Sequence, residues 1–147
     1  MKLWAKMFGV MLICAVLLGV TPTPDEEVTQ TATIRSINIA PNGPRTDVTV
    51  GTKFVGYQNQ KIEICTMIKN QPAPGAPTVT QSCGVVTPSS PSALMSNTFS
   101  FSNNKLPYDV WYAYVEARLK TTGEVLAHKV TANKVPKKPK KPGSGGY

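Results

Sequence analysis

The sequence contains few of the residues that form metal sites. It has one histidine, His128, and three cysteines, whereas a zinc site needs three or four ligands close together. A calcium site needs clustered carboxylates. Asp47 and Asp109 stand alone, however, and the one acidic cluster, Asp25 to Glu27, lies in a segment rich in proline and threonine. These scarcities predict a protein without a bound metal or cofactor.

Catalytic groups are equally scarce. His128 shares the parity of Leu126 and Val130 on a predicted strand, which favours a packed or rim histidine over a general base. A reactive cysteine with His128 as its base is the weaker alternative, because nothing in the sequence brings such residues together. We therefore expect a protein that is not an enzyme.

Three acids keep one enzymatic alternative open. Glu63, Glu116 and Glu124 could meet in space as the carboxylate pair that glycoside hydrolysis requires. Their positions on predicted strands and a turn are typical of outward, solvated side chains. A hydrolase built on a sandwich scaffold is therefore the third of three hypotheses.

Only one long apolar run is present, from Met7 to Val20. Lys2 and Lys6 precede it, which is the layout of a secretory signal. The run is shorter than the ~20 residues that cross a hydrocarbon core as a helix, and this favours a cleaved signal over a permanent anchor. No Ala-x-Ala triplet marks a cleavage point, so an uncleaved anchor stays open. We expect an exported protein, either secreted, periplasmic or at the cell surface, and membrane-anchored if the leader is kept.

The cysteines predict a disulfide. Cys14 falls within the apolar run, so removal of the leader leaves Cys65 and Cys83. An oxidising compartment favours joining them. On the chain-entropy account, closing a loop of about 18 residues stabilises a fold by roughly 3 kcal/mol.

The net charge of +8 is concentrated at one end of the chain. From Asp25 to Asn133, nine lysines and arginines stand against eight acids, a net charge of +1. The tail that follows, 134–147, has no acid and five lysines: Lys134, Lys137, Lys138, Lys140 and Lys141. Pro136, Pro139 and Pro142 separate these lysines and favour an extended, hydrated chain.

The tail is a candidate for binding polyanions. Lysines on an extended chain can contact phosphates, anionic envelope polymers or lipid headgroups, with strong salt dependence. A solubilising spacer is the alternative. No aromatic residue is interleaved with the lysines before Tyr147, so base stacking, and with it sequence-specific recognition of nucleic acid, is not expected.

Between residues 31 and 135 apolar and polar residues alternate with the period of β-strands. A change of parity around Arg35 and Ser36 predicts a bulge, and a first strand that passes from one sheet to another. The strongest pattern runs from Trp111 to Leu119, and a tight turn at Thr121 to Gly123 joins it to a returning strand.

The segment before that hairpin gives a weaker signal. Serines and prolines dominate Thr87 to Ser92, so we expect a loop there, followed by a short strand around Phe99 and Phe101. Together the elements predict an all-β, antiparallel sandwich of about seven strands. The predicted organisation is a signal peptide or uncleaved anchor with the start of a linker (1–24), the linker (25–30), the sandwich (31–135) and a flexible tail rich in lysine, proline and glycine (136–147).

Leu106-Pro107, the run Trp111 to Leu119 and Gly123 resemble the penultimate and final strands of an immunoglobulin-like or fibronectin type III domain. The resemblance implies an immunoglobulin-like β-sandwich. The chain departs from the family because its second strand lacks a tryptophan and because Cys65 and Cys83 both precede the Trp111 strand. The resemblance carries over no functional residue, and a fold alone implies no activity.

One side of the Trp111 strand is a candidate partner-binding face. Tyr112, Tyr114, Glu116 and Arg118 alternate with its apolar side and predict a polar, aromatic strip on an exposed sheet. Such a strip could bind a protein partner or a glycan. Ordinary decoration of an outer sheet face is the alternative.

These features lead to two main hypotheses. The first is an exported, non-enzymatic interaction or structural module, such as a subunit of a cell-surface assembly or filament. A protein partner or self-assembly is expected, and the early strand Thr31 to Ala40 could pair with another chain. The second is a polyanion- or envelope-tethering protein that acts through its basic tail.

Overall fold

A computed structural model describes residues 29–133 of the chain. This part contains seven β-strands and one 3-10 turn. The strands are β1 (Thr31–Asn42), β2 (Arg45–Val55), β3 (Ile62–Lys69), β4 (Thr78–Val86), β5 (Ser92–Ser102), β6 (Trp111–Leu119) and β7 (Val125–Asn133), with the 3-10 turn Asn103–Lys105 between β5 and β6. The predicted signal segment 1–24, most of the linker and the tail 136–147 lie outside the described residues. No helix within residues 29–133 is long and apolar enough to cross a membrane.

The strands form two antiparallel sheets. The order is β1-β2-β5 in the three-stranded sheet and β4-β3-β6-β7 in the four-stranded sheet. Every neighbouring pair is antiparallel. The predicted all-β sandwich of seven strands is therefore confirmed.

The core lies between the two sheets because one face of each strand is apolar. On β6, Trp111, Ala113, Val115 and Ala117 are fully buried, as the period-two pattern predicts. The opposing inner faces contribute the other fully or nearly fully buried apolar side chains, among them Val48, Val50, Phe54, Ile62, Ile64, Ile68, Phe99 and Phe101.

The predicted bulge in β1 is present, but the predicted change of sheet is not. The β1–β2 register shifts between Ile34 and Ser36, and β1 stays in the three-stranded sheet throughout. Gly51 lies opposite the bulge, where a Cβ would come within 2.5 Å of the Ser36 Oγ. Glycine at this position leaves room for the Ser36 side chain, so the bulge changes parity without breaking the strand.

Two other expectations need correction. The strand around Phe99 and Phe101 was expected to be short, but β5 begins at Ser92 and has 11 residues. Its first half has weak strand propensity of its own and is ordered by pairing with β2, which β5 contacts along its whole length. On β7, the register shifts between Ala117 and Arg118. Leu126 consequently packs against the core, whereas His128 lies on the outer face, so the predicted common face of these two residues is wrong.

The two lateral sides of the sandwich differ. On one side Lys129 of β7 donates a hydrogen bond of 2.8 Å from its Nζ to the Arg35 carbonyl of β1, which links the two sheets. On the opposite side the outermost strands are β4 and β5. Neither of those strands contains a charged residue.

Candidate interaction face

The outer face of the four-stranded sheet holds the candidate strip on β6. Tyr112, Tyr114, Glu116 and Arg118 point to this face, opposite the buried Trp111 side. The predicted exposure of the strip is wrong at its centre, because Tyr114 is only 7% exposed and Glu116 only 6%. The centre of the predicted strip is therefore covered by other side chains.

Lys69 and His128 cover Tyr114. The Lys69 Nζ lies 5.0 Å from the centroid of the Tyr114 ring, a cation–π distance. The His128 ring stacks on the same tyrosine at 5.9 Å, with 15° between the ring planes. Burial, and then the nearby charge of Glu116, raises the pKa of Tyr114 above 10.0.

Lys69 is itself only 3% exposed although it is a lysine on an outer face. Its Nζ donates hydrogen bonds to the carbonyls of Pro74 and Ala76, in the loop between β3 and β4. Backbone carbonyls and the Tyr114 ring thus replace water around the ammonium group, which offsets the cost of burying it. Lys69 holds this loop against the end of the sheet.

Glu116 is paired within its own strand. Arg118 donates a hydrogen bond of 2.8 Å from Nη2 to the Glu116 Oε2. This hydrogen bond and the glutamate's charge raise the pKa of Arg118 above its usual value. Across the ladders Glu116 lies opposite Cys65 on one side and His128 on the other.

The predicted disulfide is present. Cys65 and Cys83 are directly paired across the β3–β4 ladder, with their Cα atoms 4.1 Å apart. Cys65 is buried and Cys83 is exposed. The bond lies on the outer face, as the parity of Cys65 predicts, and fastens the edge strand β4 to the rest of its sheet.

Four exposed valines on this face were missed by the sequence reasoning. Val79 and Val85 of β4 are 45% and 49% exposed, and Val125 and Val130 of β7 are 46% and 37% exposed. The signal was present in β4, where valines and Cys83 alternate with polar residues and no charge interrupts them. The face thus has a polar, covered centre and apolar margins.

The three glutamates of the hydrolase hypothesis have different surroundings. Glu63 accepts a hydrogen bond of 2.9 Å from Lys120, and Glu116 is paired with Arg118. Glu124 lies in the β6–β7 turn. Within residues 29–133 no group of three or more histidines, cysteines or acids is placed to hold a metal ion.

The basic tail cannot be placed on this face. β7 ends at Asn133, and all of the lysines proposed to bind polyanions lie outside the described residues. Their binding role therefore stays a prediction from the sequence.

No protein-family model and no curated protein matches the chain. Among solved structures, 71% of the chain resembles part of a β-glucosidase 3B from Thermotoga neapolitana (12% identity, 16% of that chain, TM-score 0.43). The same share resembles part of a β-glucuronidase of glycoside hydrolase family 2 (16% identity, 11% of that chain, TM-score 0.44). A protein from Archaeoglobus fulgidus is matched over 98% of its length (13% identity, TM-score 0.38). The chain thus spans only a small fraction of the length of these hydrolases. The structural similarity is too weak to support any inference about activity.

Proposed function

We propose that the protein is an exported, non-enzymatic interaction module with an immunoglobulin-like sandwich, and that it assembles with a second copy of itself through β4. Two antiparallel sheets of seven strands in total support the immunoglobulin-like assignment, although β4 lies beside β3, whereas the fourth strand of a constant-type immunoglobulin domain lies beside the fifth. The observation that carries the assembly proposal is the open, uncharged edge of β4.

The backbone of β4 is available for pairing. The 4.1 Å between the Cα atoms of Cys65 and Cys83 is the short spacing of a non-hydrogen-bonded antiparallel pair. The N–H and C=O of Cys83 therefore point away from β3. Because the direction of these groups alternates along a strand, the N–H and C=O of Gln81 and Val85 point the same way as those of Cys83. Among residues 29–133 no strand pairs with this side of β4, so the three residues present backbone donors and acceptors along one edge.

The side chains of β4 do not protect that edge. Natural edge strands discourage pairing with lysine, proline, bulges or short length. β4 has nine residues and contains neither lysine nor proline. By contrast, β7 carries His128 and Lys129, and β1 is interrupted by its bulge at Ser36.

A second copy fits this edge in an antiparallel arrangement. Two β4 strands related by a twofold axis would join two four-stranded sheets into one continuous sheet, a closed and isologous contact. Each Val85 would then lie close to the partner strand on the outer face. Because the contact is uncharged, its strength should vary little with salt.

The test is light scattering of the secreted protein over a range of concentrations. We expect a dimer in the unmodified protein and a Kd at least about tenfold weaker in Val85→Lys, because a lysine on the outer edge strand opposes pairing. Val125→Lys is the matched control, since Val125 has nearly the same exposure on the same face but belongs to β7. A strictly monomeric protein, or equal effects of the two substitutions, would contradict the proposal.

The second candidate function is tethering to polyanions through the tail. It is favoured by the net charge of +5 in residues 134–147. Retention on anionic vesicles at low salt, lost when the five tail lysines are replaced by glutamine, would support it. Retention that is unchanged by that replacement would exclude it.

A further inference from the structure

The bulge in β1 turns two consecutive side chains to the outer face of the three-stranded sheet. Ile34, before the register shift, and Ile37, after it, both pack into the core. Arg35 and Ser36 between them are exposed, because the extra residue of a bulge interrupts the alternation of a strand. An arginine and a serine are therefore direct neighbours on one face.

Gly51 leaves a depression beside these two residues. In the ladders it lies between Ser36 of β1 and Ser96 of β5, so the middle strand contributes no side chain to that row. An open cavity of about 390 Å³ occupies this place, and Arg35, Ser36, Gly51 and Leu94 are among the residues that line it. The volume falls within the roughly 300–1,000 Å³ that is typical of sites for small ligands.

Two cations without partners lie beside the Gly51 depression. Arg35 lines it, and Lys53 lies two residues beyond Gly51 on the same face of β2, about 7 Å away. Within residues 29–133 neither the Arg35 guanidinium nor the Lys53 ammonium has a hydrogen bond or an ion pair. A third positive charge is close, because the Lys129 Nζ lies 2.8 Å from the Arg35 carbonyl oxygen.

Acidic residues of the described part lie away from these charges. Asp47, on the same face, is four residues from Gly51 along β2, about 13 Å away. Its carboxylate already accepts hydrogen bonds from Asn42 and Ser100. The other acids among residues 29–133 belong to the four-stranded sheet, to its β6–β7 turn or to the loop before β6. The depression is therefore a place of positive potential.

The groups around the depression match a phosphate that is attached to a hydroxyl-rich carrier. The Arg35 guanidinium presents paired N–H donors that fit two phosphate oxygens, and two unpaired cations match the charge of about −1.5 to −2 on a phosphate monoester at pH 7. The hydroxyls of Ser36 and Ser96 can donate to or accept from hydroxyls of the carrier. The polar surface continues at Thr49 and Thr98, whose hydroxyls are 3.0 Å apart.

We propose that the Gly51 depression binds a sugar phosphate, with Arg35 and Lys53 on the phosphate and the hydroxyls of Ser36 and Ser96 on the sugar. The cavity has room for a sugar ring beside the phosphate group. The site uses no residue of β4 and none of the tail lysines, so its failure and the failure of either proposed function are separate results.

The test is a ¹H–¹⁵N NMR titration of the full-length chain with glucose 6-phosphate at constant ionic strength. We expect saturable shifts of the Ser36, Gly51 and Ser96 amide resonances. Glucose should give no saturable shift over the same concentrations, because it lacks the charge. Inorganic phosphate should bind about fivefold more weakly, because it lacks the sugar hydroxyls. Equal binding of inorganic phosphate would exclude the sugar as part of the ligand.

A pair of charge variants separates the site from the net charge of the protein. R35Q/K53Q should weaken the Kd for glucose 6-phosphate about tenfold. K61Q/K105Q is the matched control, because it removes the same charge from two exposed lysines whose side chains likewise have no partner within residues 29–133. The control should leave the Kd unchanged, and equal weakening in both variants would overturn the proposal.

Gly51→Ala fills the depression without changing the charge. A Cβ at Gly51 would lie 2.5 Å from the Ser36 Oγ, so the methyl group displaces this hydroxyl. We expect a Kd about fivefold weaker, with thermal unfolding as the check on folding. Ser36→Ala removes the same hydroxyl without adding an atom and should weaken binding in the same direction. Unshifted Ser36, Gly51 and Ser96 amides in the unmodified chain would overturn the proposal.

Discussion

Cys65 and Cys83 are direct neighbours across an antiparallel ladder, and their disulfide joins the interior strand β3 to the edge strand β4. The bond spans 18 residues of sequence, including the loop that Lys69 holds against the sheet. The edge strand proposed to pair with a second copy is thus fastened at its middle, and the disulfide keeps its backbone in place for that contact.

Removing the disulfide should destabilise the domain. We expect the double variant C65A/C83A to lose about 3 kcal/mol in free energy of unfolding, since the unfolded chain regains the entropy of an open loop. Urea denaturation of the oxidised protein and the variant measures the difference. A loss below about 1 kcal/mol would mean that the bond adds little to the stability of the fold.

Replacing Lys69 should release the β3–β4 loop. Lys69→Met loses two hydrogen bonds from a charged donor and the contact with the Tyr114 ring, for an expected cost of about 2 kcal/mol. Amide hydrogen exchange in residues 70–77 should accelerate in this variant. Lys53→Met is the control, because Lys53 is exposed on β2. Equal protection of the loop in both variants would contradict the assigned role of Lys69.

Gly123 should be sensitive to substitution because of its backbone alone. Its φ is +73° in the β6–β7 turn, and nothing lies within 4 Å of the position a Cβ would take. Gly123→Ala should therefore cost about 1 kcal/mol through strain rather than collision. Gly75→Ala is the matched control, since Gly75 is equally open and its φ is not positive. Thermal unfolding of the two variants separates the effects, and equal midpoints would refute the strain argument.

The domain should become less stable at high pH. Burial, and then the charge of a neighbouring glutamate, raises the pKa of Tyr57 and of Tyr114 above 10.0. The folded state therefore favours the neutral phenols, so this contribution is fully present below pH 10 and is lost as the pH rises through the folded pKa values. The free energy of unfolding, measured from pH 8 to 12, should fall less steeply in Tyr114→Phe than in the unmodified protein. An identical pH dependence in that variant would exclude Tyr114 as a cause.

The parts of the fold that were predictable have strong local patterns. The run from Trp111 to Leu119 alternates without interruption, so its buried and outer faces follow from period alone. The pairing of Cys65 with Cys83 was predictable because only these two cysteines lie outside the predicted leader. The parity change at Ser36 likewise marks the bulge in β1.

The remaining features depend on contacts between distant segments. Tyr114 is covered because Lys69 and the loop beyond it fold onto β6, and no local pattern indicates that. His128 departs from the face of Leu126 because of a register shift that only the pairing with β6 reveals. The cavity lined by Pro41, Thr46, Leu106 and Trp111 is assembled from four separate stretches of chain, so its lining could not be identified from the sequence.

The described chain begins and ends at opposite poles of the sandwich. Thr31 lies opposite Val55 at one pole, whereas Asn133 lies beside Trp111 at the other. β1 and β7 therefore run in the same direction in different sheets, and the 12 residues of β1 separate the two poles by about 40 Å. A pull on the two ends would act along the strands, as a shearing force shared by many ladder hydrogen bonds at once.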